Sequence, residues 1–177
     1  MTESTRVALV LPIPKLVGSF AACVAVVAEE RRYLGLVHGR SEGETREFIE
    51  SVWSDGGQVM LAIDGDLVVG WCSTIPQTSE GFTHLAHIGM GILPEYRGQG
   101  LGRRLIDNAL GWAWNAEYER LELSVFTDNE VAVHLYRSVG FVEEGVRRRA
   151  RKLDGQYKDI TFMAIFRPDL EQNPPSA

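Results

Sequence analysis

The sequence Ile88-Gly-Met-Gly-Ile-Leu-Pro-Glu-Tyr-Arg-Gly-Gln-Gly-Leu-Gly-Arg-Arg-Leu-Ile-Asp107 decides the fold of this chain. It predicts a strand over residues 85–93, which ends at Pro94. Beyond a turn that is rich in glycine, apolar residues recur at the three-and-four spacing of one helix face as far as Ala116. The stretch therefore predicts a strand, a glycine loop and the start of a helix in direct succession.

Such a junction is suited to bind a phosphate group. The first N–H groups of a helix have no partner within the helix, and the helix dipole adds partial positive charge there. Glycines at 98, 100 and 102 let the backbone approach an anion closely and permit positive φ angles. Three arginines supply further charge, namely Arg97, Arg103 and Arg104. We predict that residues 97–102 bind a pyrophosphate.

The spacing of the glycines narrows the class of nucleotide. A Walker loop needs G-x-x-x-x-G-K-[ST], which neither Gly98 nor Gly100 begins, and this disfavours ATP and GTP. The dinucleotide fingerprint needs G-x-G-x-x-G and an acidic residue closing the next strand, whereas the strand predicted at 121–126 runs on to Thr127. NAD is therefore disfavoured too, and a glycine-rich turn before an ordinary helix is the alternative without a ligand.

Composition predicts one domain. A chain of 177 residues, 45% hydrophobic and 24% charged, is long enough to bury a core. We predict a single domain over 1–177, with a core over about 6–166 and a tail over 167–177. The net charge of −6 argues against a general nucleic-acid or anionic-membrane binder. The basic run 147–152 is interpreted as a solvated strand face, with a contact to an acidic ligand as the alternative.

The two cysteines indicate a cytoplasmic protein. Cys23 and Cys72 lie in apolar surroundings without a C-x-x-C partner, so we expect buried reduced thiols. His84 and His87 lack a third ligand near in sequence, so no metal site is predicted. The apolar stretch 7–28 is interrupted by Pro12 and Pro14, and is better explained by a strand and a core helix than by a membrane span.

The order of predicted elements is β-α-α-β-β-β-α-β-α-β-β, an α/β domain on a mixed sheet. Strands are predicted over 6–13, 58–63, 67–75, 85–93, 121–126, 141–153 and 157–166. Helices are predicted over 16–34, from Ser41 to 53, over 101–116, and from a cap at Asp128 or Asn129 to 139.

Three stretches, in the same order and spacing, resemble the GCN5-related N-acetyltransferase (GNAT) family. Arg97-Gly-Gln-Gly-Leu-Gly102 is similar to its R/Q-x-x-G-x-G/A acetyl-CoA loop. Leu121-Glu-Leu-Ser-Val-Phe-Thr-Asp-Asn129 and Leu135-Tyr-Arg-Ser-Val-Gly-Phe141 resemble its next strand and its L-Y-x-x-x-G-F segment. The resemblance covers about residues 6–166. It implies the GNAT fold: a mixed, mostly antiparallel sheet of six to seven strands, splayed between strands 4 and 5, with about four helices.

The resemblance also implies an activity. Acetyl-CoA is the expected co-substrate, and its acetyl group passes directly to a primary amine of a small molecule, with amino acids among the candidates. Gly89–Ile92 and Glu30–Leu34 resemble the branch that acts on small amines or amino acids. A protein N-terminal or lysine acetyltransferase is the second interpretation, and a non-catalytic acyl-CoA-binding sensor is the third. A homodimer stays open; neither nucleic acid nor membrane is expected as a partner.

Coenzyme contacts follow from the same resemblance. The loop residues are Arg97, Gly98, Gln99, Gly100, Leu101 and Gly102. Backbone groups of Met90, Gly91 and Ile92 are expected to bond the pantetheine arm as if it were another strand. A β-bulge at the neighbouring glycines is the alternative. Asn129 either contacts the coenzyme arm or simply caps a helix.

Two side chains are candidates for proton transfer. Tyr136 lies where the family has a tyrosine near the coenzyme sulfur and is the candidate acid; a core aromatic residue is the alternative. The base is sought on the fourth strand, which offers His84 and His87 but no carboxylate. Residues three apart face opposite sides of a strand, and His87 shares its side with Gly89 and Gly91, so His87 is the candidate base. An ordinary packed histidine is the alternative.

Acceptor contacts are expected from two other segments. Glu30 and Tyr33, at the end of the first predicted helix, are candidate substrate contacts, with a solvated helix end as the alternative. Trp71 either lines the same cleft or fills the core.

Overall fold

The fold is one seven-stranded sheet with helices on both faces, in a computed structural model that describes residues 7–171. The strands are β1 Ala8–Val10, β2 Gln58–Asp64, β3 Leu67–Pro76, β4 Leu85–Ile92, β5 Arg120–Phe126, β6 Val142–Leu153 and β7 Gln156–Phe166. The helices in this range are α1 Val17–Glu29, α2 Glu42–Ser54, α3 Leu101–Asn115, α4 Glu130–Val139 and the four-residue α5 Pro168–Glu171. The predicted element order and fold class are confirmed.

The sheet order is β1-β2-β3-β4-β5-β7-β6. Every neighbouring pair is antiparallel except β4 and β5, which run parallel. That parallel pairing is short: it joins Leu85, Ala86 and His87 to residues 120–122 and then stops. Both strands continue, and β5 keeps pairing with β7 as far as Phe126. The predicted splay between strands 4 and 5 is confirmed, and it begins directly after His87.

No bulge opens this splay. The register between β3 and β4 runs without a shift from Gly70 opposite Ile92 to Pro76 opposite Ala86. Gly89 and Gly91 lie within this regular stretch, so the β-bulge interpretation of these two glycines is wrong. The strands diverge because β4 remains paired with β3 while β5 remains paired with β7.

The helices divide between the two faces of the sheet. The Phe20 ring of α1 lies 5.8 Å from the Trp71 ring of β3, which assigns α1 to the face of Trp71. The start of α3 at Gly102 contacts Met90 on β4 and Leu135 on α4. Since side chains alternate along a strand, Met90 and Trp71, which are one step out of register, point to opposite faces. Helices α3 and α4 therefore cover the second face.

Two predicted boundaries are wrong. The first helix ends at Glu29 rather than at residue 34, and Arg31 has a φ of 55°. Tertiary contacts explain this end: Arg31 pairs with Asp154 of the β6–β7 turn, and its carbonyl accepts a hydrogen bond from Arg151. The first strand covers three residues instead of 6–13, and Pro12 lies just beyond it. Residues 172–177 of the predicted tail lie outside the described residues, and 168–171 form α5.

None of the described helices is long and apolar enough to cross a membrane.

The two thiols are buried and free, as the sequence predicts. Cys23 and Cys72 are each 2% exposed, and burial raises the pKa of both from 9.0 to about 12. In the unfolded chain these thiols ionise near their ordinary pKa, so above about pH 9 the unfolded state binds fewer protons than the native state. The free energy of unfolding must therefore fall as the pH rises through this range.

We predict that the stability of the protein decreases between about pH 9 and pH 11 and that Cys23→Ala/Cys72→Ala weakens this decrease. Each thiol contributes at most about 1.4 kcal/mol per pH unit. Urea unfolding at pH 7.5 and at higher pH, for both proteins, measures the difference. A double variant with the same pH dependence as the wild type contradicts the assignment.

Candidate active site

The loop between β4 and α3 has the shape of an anion site. Tyr96 anchors it by donating a hydrogen bond from its hydroxyl to Asp64 at 2.9 Å. Gly98 and Gly100 have φ angles of 71° and 79°, in the region that favours glycine. A Cβ built on either glycine meets no heavy atom within 4 Å, so the loop is open on that side.

Consecutive backbone N–H groups of this loop are free of protein acceptors. Within the part of the chain that the structure describes, no backbone or side-chain acceptor pairs with the N–H groups of residues 98–103. Gly100 precedes α3 without a side-chain cap, and the first bond of the helix is that of Arg104 to the Gly100 carbonyl at 3.2 Å. These amides and the dipole of α3 provide the environment that favours a phosphate.

The arginines near the loop are engaged elsewhere. Arg97 donates from Nε to the Ile92 carbonyl at 2.8 Å, and its two terminal nitrogens bond both carboxylate oxygens of Glu30. Arg103 pairs with Asp107 on the next turn of α3, and Arg104 donates to the carbonyl of Val7. The groups of the loop that remain for an anion are therefore backbone amides, while Arg97 and Arg104 join separate segments and Arg103 pairs within α3.

Gly102 lets three elements approach each other. A Cβ at this position is 3.0 Å from Leu135 of α4, 3.5 Å from Ile92 and 3.6 Å from Met90. The start of α3, the end of β4 and the middle of α4 therefore meet here. This meeting brings together predicted coenzyme residues from separate stretches of the sequence, and Tyr136 is adjacent to Leu135.

The splay exposes one edge of β4. The carbonyl of Gly89 accepts a hydrogen bond from Ser73 of β3, and the N–H of Leu93 bonds the Val69 carbonyl. Odd-numbered residues of β4 thus direct their backbone groups toward β3, so even-numbered residues direct theirs toward β5. Met90 lies three residues beyond the last pair with β5, and its N–H and C=O face the gap. Gly91 faces β3, while the carbonyl of Ile92 bonds Arg97.

Tyr136 lies on α4, on the same face of the sheet as Met90. It is 7% exposed, and its ring lies 5.8 Å from the ring of Phe141. Burial raises the pKa of the Tyr136 hydroxyl well above its ordinary value, and the nearby Cys72 raises it further. The hydroxyl is therefore protonated across the physiological range and is able to donate a hydrogen bond.

Asn129 performs the capping role. Its side-chain oxygen accepts a hydrogen bond from the N–H of Ala132 at 3.3 Å, at the first turn of α4. This bond fixes the start of the helix that carries Tyr136. Gly140, with a φ of 111°, ends the same helix.

His87 lies at the point where β4 and β5 separate. Its Nε2 is 2.7 Å from Nε2 of Gln77, and its Nδ1 is 3.2 Å from Oε1 of Glu122 on β5. Its side chain is 42% exposed and belongs to the face of Trp71, because residues 71 and 87 are both odd-numbered members of the regular β3–β4 register. His87 and Tyr136 consequently lie on opposite faces of the sheet. His84, exposed and just before the strand, is not part of this cluster.

The predicted acceptor residues lie at the end of α1 and in the core. Glu30 bonds Arg97, and the Tyr33 ring lies 4.8 Å from the Arg97 guanidinium carbon. The following segment is tied to the β6–β7 hairpin through Arg31. Trp71 is 6% exposed, and its indole lies over Gly91, where a Cβ comes within 2.2 Å of the ring. The indole therefore occupies the room that Gly91 leaves.

Two residues of the His87 cluster were not predicted. Glu122 lies on β5, where it alternates with apolar residues and so has the pattern of any half-buried strand. Gln77 follows β3 directly and precedes an exposed loop. Both meet His87 through strand register, which connects residues 35 and 10 positions apart and leaves no local signal in the sequence.

Comparison with known proteins assigns the chain to a family. Residues 24–141, about two thirds of the chain, match the model of the "Acetyltransferase (GNAT) family". Over 111 residues the chain is 31% identical to the L-amino acid N-acetyltransferase AaaT of Escherichia coli, which covers 60% of this chain and 66% of that protein. Over 66 residues it is 44% identical to the N-alpha-acetyltransferase RimI of Mycobacterium tuberculosis, covering 37% and 40%. The matches thus span about two thirds or less of these relatives.

A solved structure has the same fold. A GNAT superfamily phosphinothricin acetyltransferase from Sinorhizobium meliloti, in complex with acetyl-CoA, superposes with a TM-score of 0.88 at 17% identity. The superposition covers 96% of this chain and 93% of that one.

We predict that Gly100→Ala weakens acetyl-CoA binding by at least about tenfold, because a Cβ enters the open side of the amide loop. It also costs about 1 kcal/mol of stability, since residue 100 has a positive φ. Isothermal titration with acetyl-CoA and urea unfolding measure the two effects.

Gly111→Ala is the matched control. This glycine lies inside α3 with no heavy atom within 4 Å of a built Cβ, so alanine should stabilise the protein by about 0.5–1 kcal/mol and leave coenzyme affinity unchanged. Equal affinity of the Gly100→Ala protein and the wild type contradicts the loop assignment.

Proposed function

The chain belongs to the GNAT acetyltransferase family, and from that premise we propose that it transfers the acetyl group of acetyl-CoA directly to a primary amine of a small molecule. Three features support this proposal: an open loop of free amides at residues 98–103, a gap between β4 and β5, and two titratable side chains on opposite faces of the sheet, His87 at the start of the gap and Tyr136 on α4. The last of these carries the most weight.

Each face of the sheet offers a group for one of the two proton transfers in the reaction. An amine that approaches from the face of His87 attacks the thioester carbonyl in the gap, and the sulfur departs toward the face of Tyr136. Nucleophile and leaving group are then each beside a group that handles its proton. Met90, whose backbone N–H faces the gap, is a candidate donor to the pantetheine arm or to the oxyanion.

His87 is the proposed base. An alkylammonium with a pKa of about 10 is mostly charged at neutral pH, so it must lose a proton before it attacks. A neutral imidazole whose Nε2 carries the lone pair is able to take that proton. The alternative role, a merely packed histidine, is disfavoured by the 42% exposure of its side chain.

Tyr136 is the proposed donor to the leaving sulfur. Its hydroxyl has a raised pKa, which in water would make it a poor acid for a thiolate. Desolvation disfavours any anion, so a thiolate expelled beside Tyr136 is also more basic than in water, and the pKa values of donor and leaving group shift in the same direction.

Peptide N-termini are the second candidate acceptor. The segment that is 44% identical to RimI supports this class, while the relation to AaaT over 111 residues supports amino acids. Both segments are partial, and a direct assay separates the two classes.

The proposed activity is tested by mixing the protein with acetyl-CoA, a thiol reagent and panels of amino acids, polyamines and short peptides. We expect CoA release that depends on a small primary amine, with mass spectrometry detecting the N-acetyl product. Release with peptides alone selects the second acceptor class. Tight acetyl-CoA binding without release across every panel overturns the enzymatic proposal and favours an acyl-CoA sensor.

We predict that Tyr136→Phe lowers kcat by about 100-fold or more while the Kd for acetyl-CoA stays within about twofold, because only the donated proton is lost. Stopped-flow or steady-state kinetics and calorimetry measure the two quantities. Tyr157→Phe, at an exposed position of β7, is the matched control and should leave both unchanged. An unchanged kcat in the Tyr136 variant shows that this phenol is a packing residue.

A further inference from the structure

The imidazole of His87 is held from both sides. On one side Nε2 is 2.7 Å from the amide nitrogen of Gln77, which follows β3. On the other, Nδ1 is 3.2 Å from Oε1 of Glu122, its register partner on β5. The three side chains form one row across β3, β4 and β5, just where the gap opens.

These contacts select one tautomer. A carboxylate oxygen accepts hydrogen bonds and cannot donate them, so Glu122 favours a proton on Nδ1 of His87, which leaves the lone pair of Nε2 to receive the N–H of the Gln77 amide. The ring proton is then on Nδ1, which is 3.2 Å from Oε1 of Glu122. A carboxylate in this position stabilises the Nδ1–H form and also the imidazolium that forms when Nε2 takes a second proton.

Glu122 is itself fixed so that one oxygen remains for His87. Its Oε2 accepts a hydrogen bond from Nε of Arg120 at 3.1 Å, which leaves Oε1 toward the imidazole. Arg120 is also bonded by both oxygens of Glu144 on β6, so its charge is shared between two carboxylates. The charged groups that face His87 in this row are thus Glu122 directly, with Arg120 and Glu144 behind it.

We propose that Glu122 is the positioning residue of the base His87 and that the Gln77 amide marks the place of the acceptor nitrogen. The inference rests on the proposed function and deepens it. The N–H of Gln77 stands where an N–H of the substrate ammonium must point for proton transfer to Nε2. An acceptor that enters displaces the Gln77 amide from Nε2, whereas the contact between Nδ1 and Glu122 persists through the reaction.

The reaction moves two protons and exchanges a C–S bond for a C–N bond. The ammonium gives one proton to Nε2, and His87 becomes an imidazolium whose charge is paired with Glu122. The neutral amine forms a C–N bond to the thioester carbonyl carbon, and the C–S bond breaks. The thiolate accepts the Tyr136 proton. The proton that the new amide nitrogen sheds then passes through solvent to the Tyr136 phenolate, and the His87 imidazolium releases its proton to solvent as the net proton of the reaction.

The experiment compares Glu122→Gln, Glu122→Asp and the control Glu144→Gln. Glu122→Gln keeps the shape of the Glu122 side chain and removes its negative charge. Glu144→Gln removes a carboxylate that pairs with Arg120 and does not contact His87. We expect Glu122→Gln to lower kcat by about 10- to 100-fold at an unchanged Kd for acetyl-CoA, Glu122→Asp to recover part of the loss, and Glu144→Gln to stay within about threefold.

A second readout does not require turnover. In protein labelled with 15N-histidine, with the His87 signals assigned from a His87→Gln variant, the ring nitrogens report the tautomer. We expect an Nδ1–H form in the wild type and in Glu144→Gln, and a mixture of tautomers in Glu122→Gln. Circular dichroism confirms that each variant is folded.

Two results overturn the inference: a kcat for Glu122→Gln within about twofold of the wild type, or a tautomer that the substitution leaves unchanged. Failure of the proposed function looks different, because wild-type protein then acetylates no amine at all. In that case the tautomer readout alone decides whether Glu122 orients His87.

Discussion

The site depends on one interruption in the sheet, where the hydrogen-bonded pairing between the central strands β4 and β5 ends. β4 and β5 share three residue pairs and then separate, although each keeps its other neighbour. Backbone N–H and C=O groups inside a protein must be satisfied, and an unpaired edge in a sheet is a template for another strand-like chain. A coenzyme arm that contains amide groups fits this requirement better than a flat aromatic ligand does. The gap suits an amide-containing arm, and the loop of free amides suits a phosphate group. Both features therefore favour one ligand that has an amide arm and a phosphate.

At the loop of residues 98–103, the positive charge available to an anion comes from backbone N–H groups rather than from arginine side chains. The nearby guanidinium groups bond carboxylates or carbonyls, and the protein as a whole carries a net charge of −6. Amides and the helix dipole supply fixed partial charges, which attract a diphosphate without leaving an uncompensated cation when the site is empty. Arg97 also joins the loop to the end of β4 and to Glu30 after α1, so the segments proposed to contact the coenzyme and the acceptor are in direct contact.

Local signals in the sequence predicted the elements that are proposed to bind the coenzyme, and tertiary register decided the rest. The glycine loop, the cap at Asn129 and the position of Tyr136 on α4 each follow from patterns within about ten residues. Helix α1 was predicted too long because the contacts that end it come from Asp154 and Arg151, more than a hundred residues away. Glu122 was missed for the same reason, since only the parallel pairing of β4 with β5 brings it to His87. The alternation of side chains along a strand shows which face of the sheet each residue occupies, but it does not show which strand lies next to it.

The division between the two faces explains why the acceptor is harder to infer than the coenzyme. The face of Tyr136 is built from α3, α4 and β4, the elements that carry the family's motifs. The proposed acceptor contacts come from the segment after α1 and from the segment after β3, where Gln77 lies. Loops of this kind vary in length and composition at little cost to the fold. A family can therefore keep one coenzyme site and change its amine substrates, because the two groups of contacts belong to opposite sides of the same sheet.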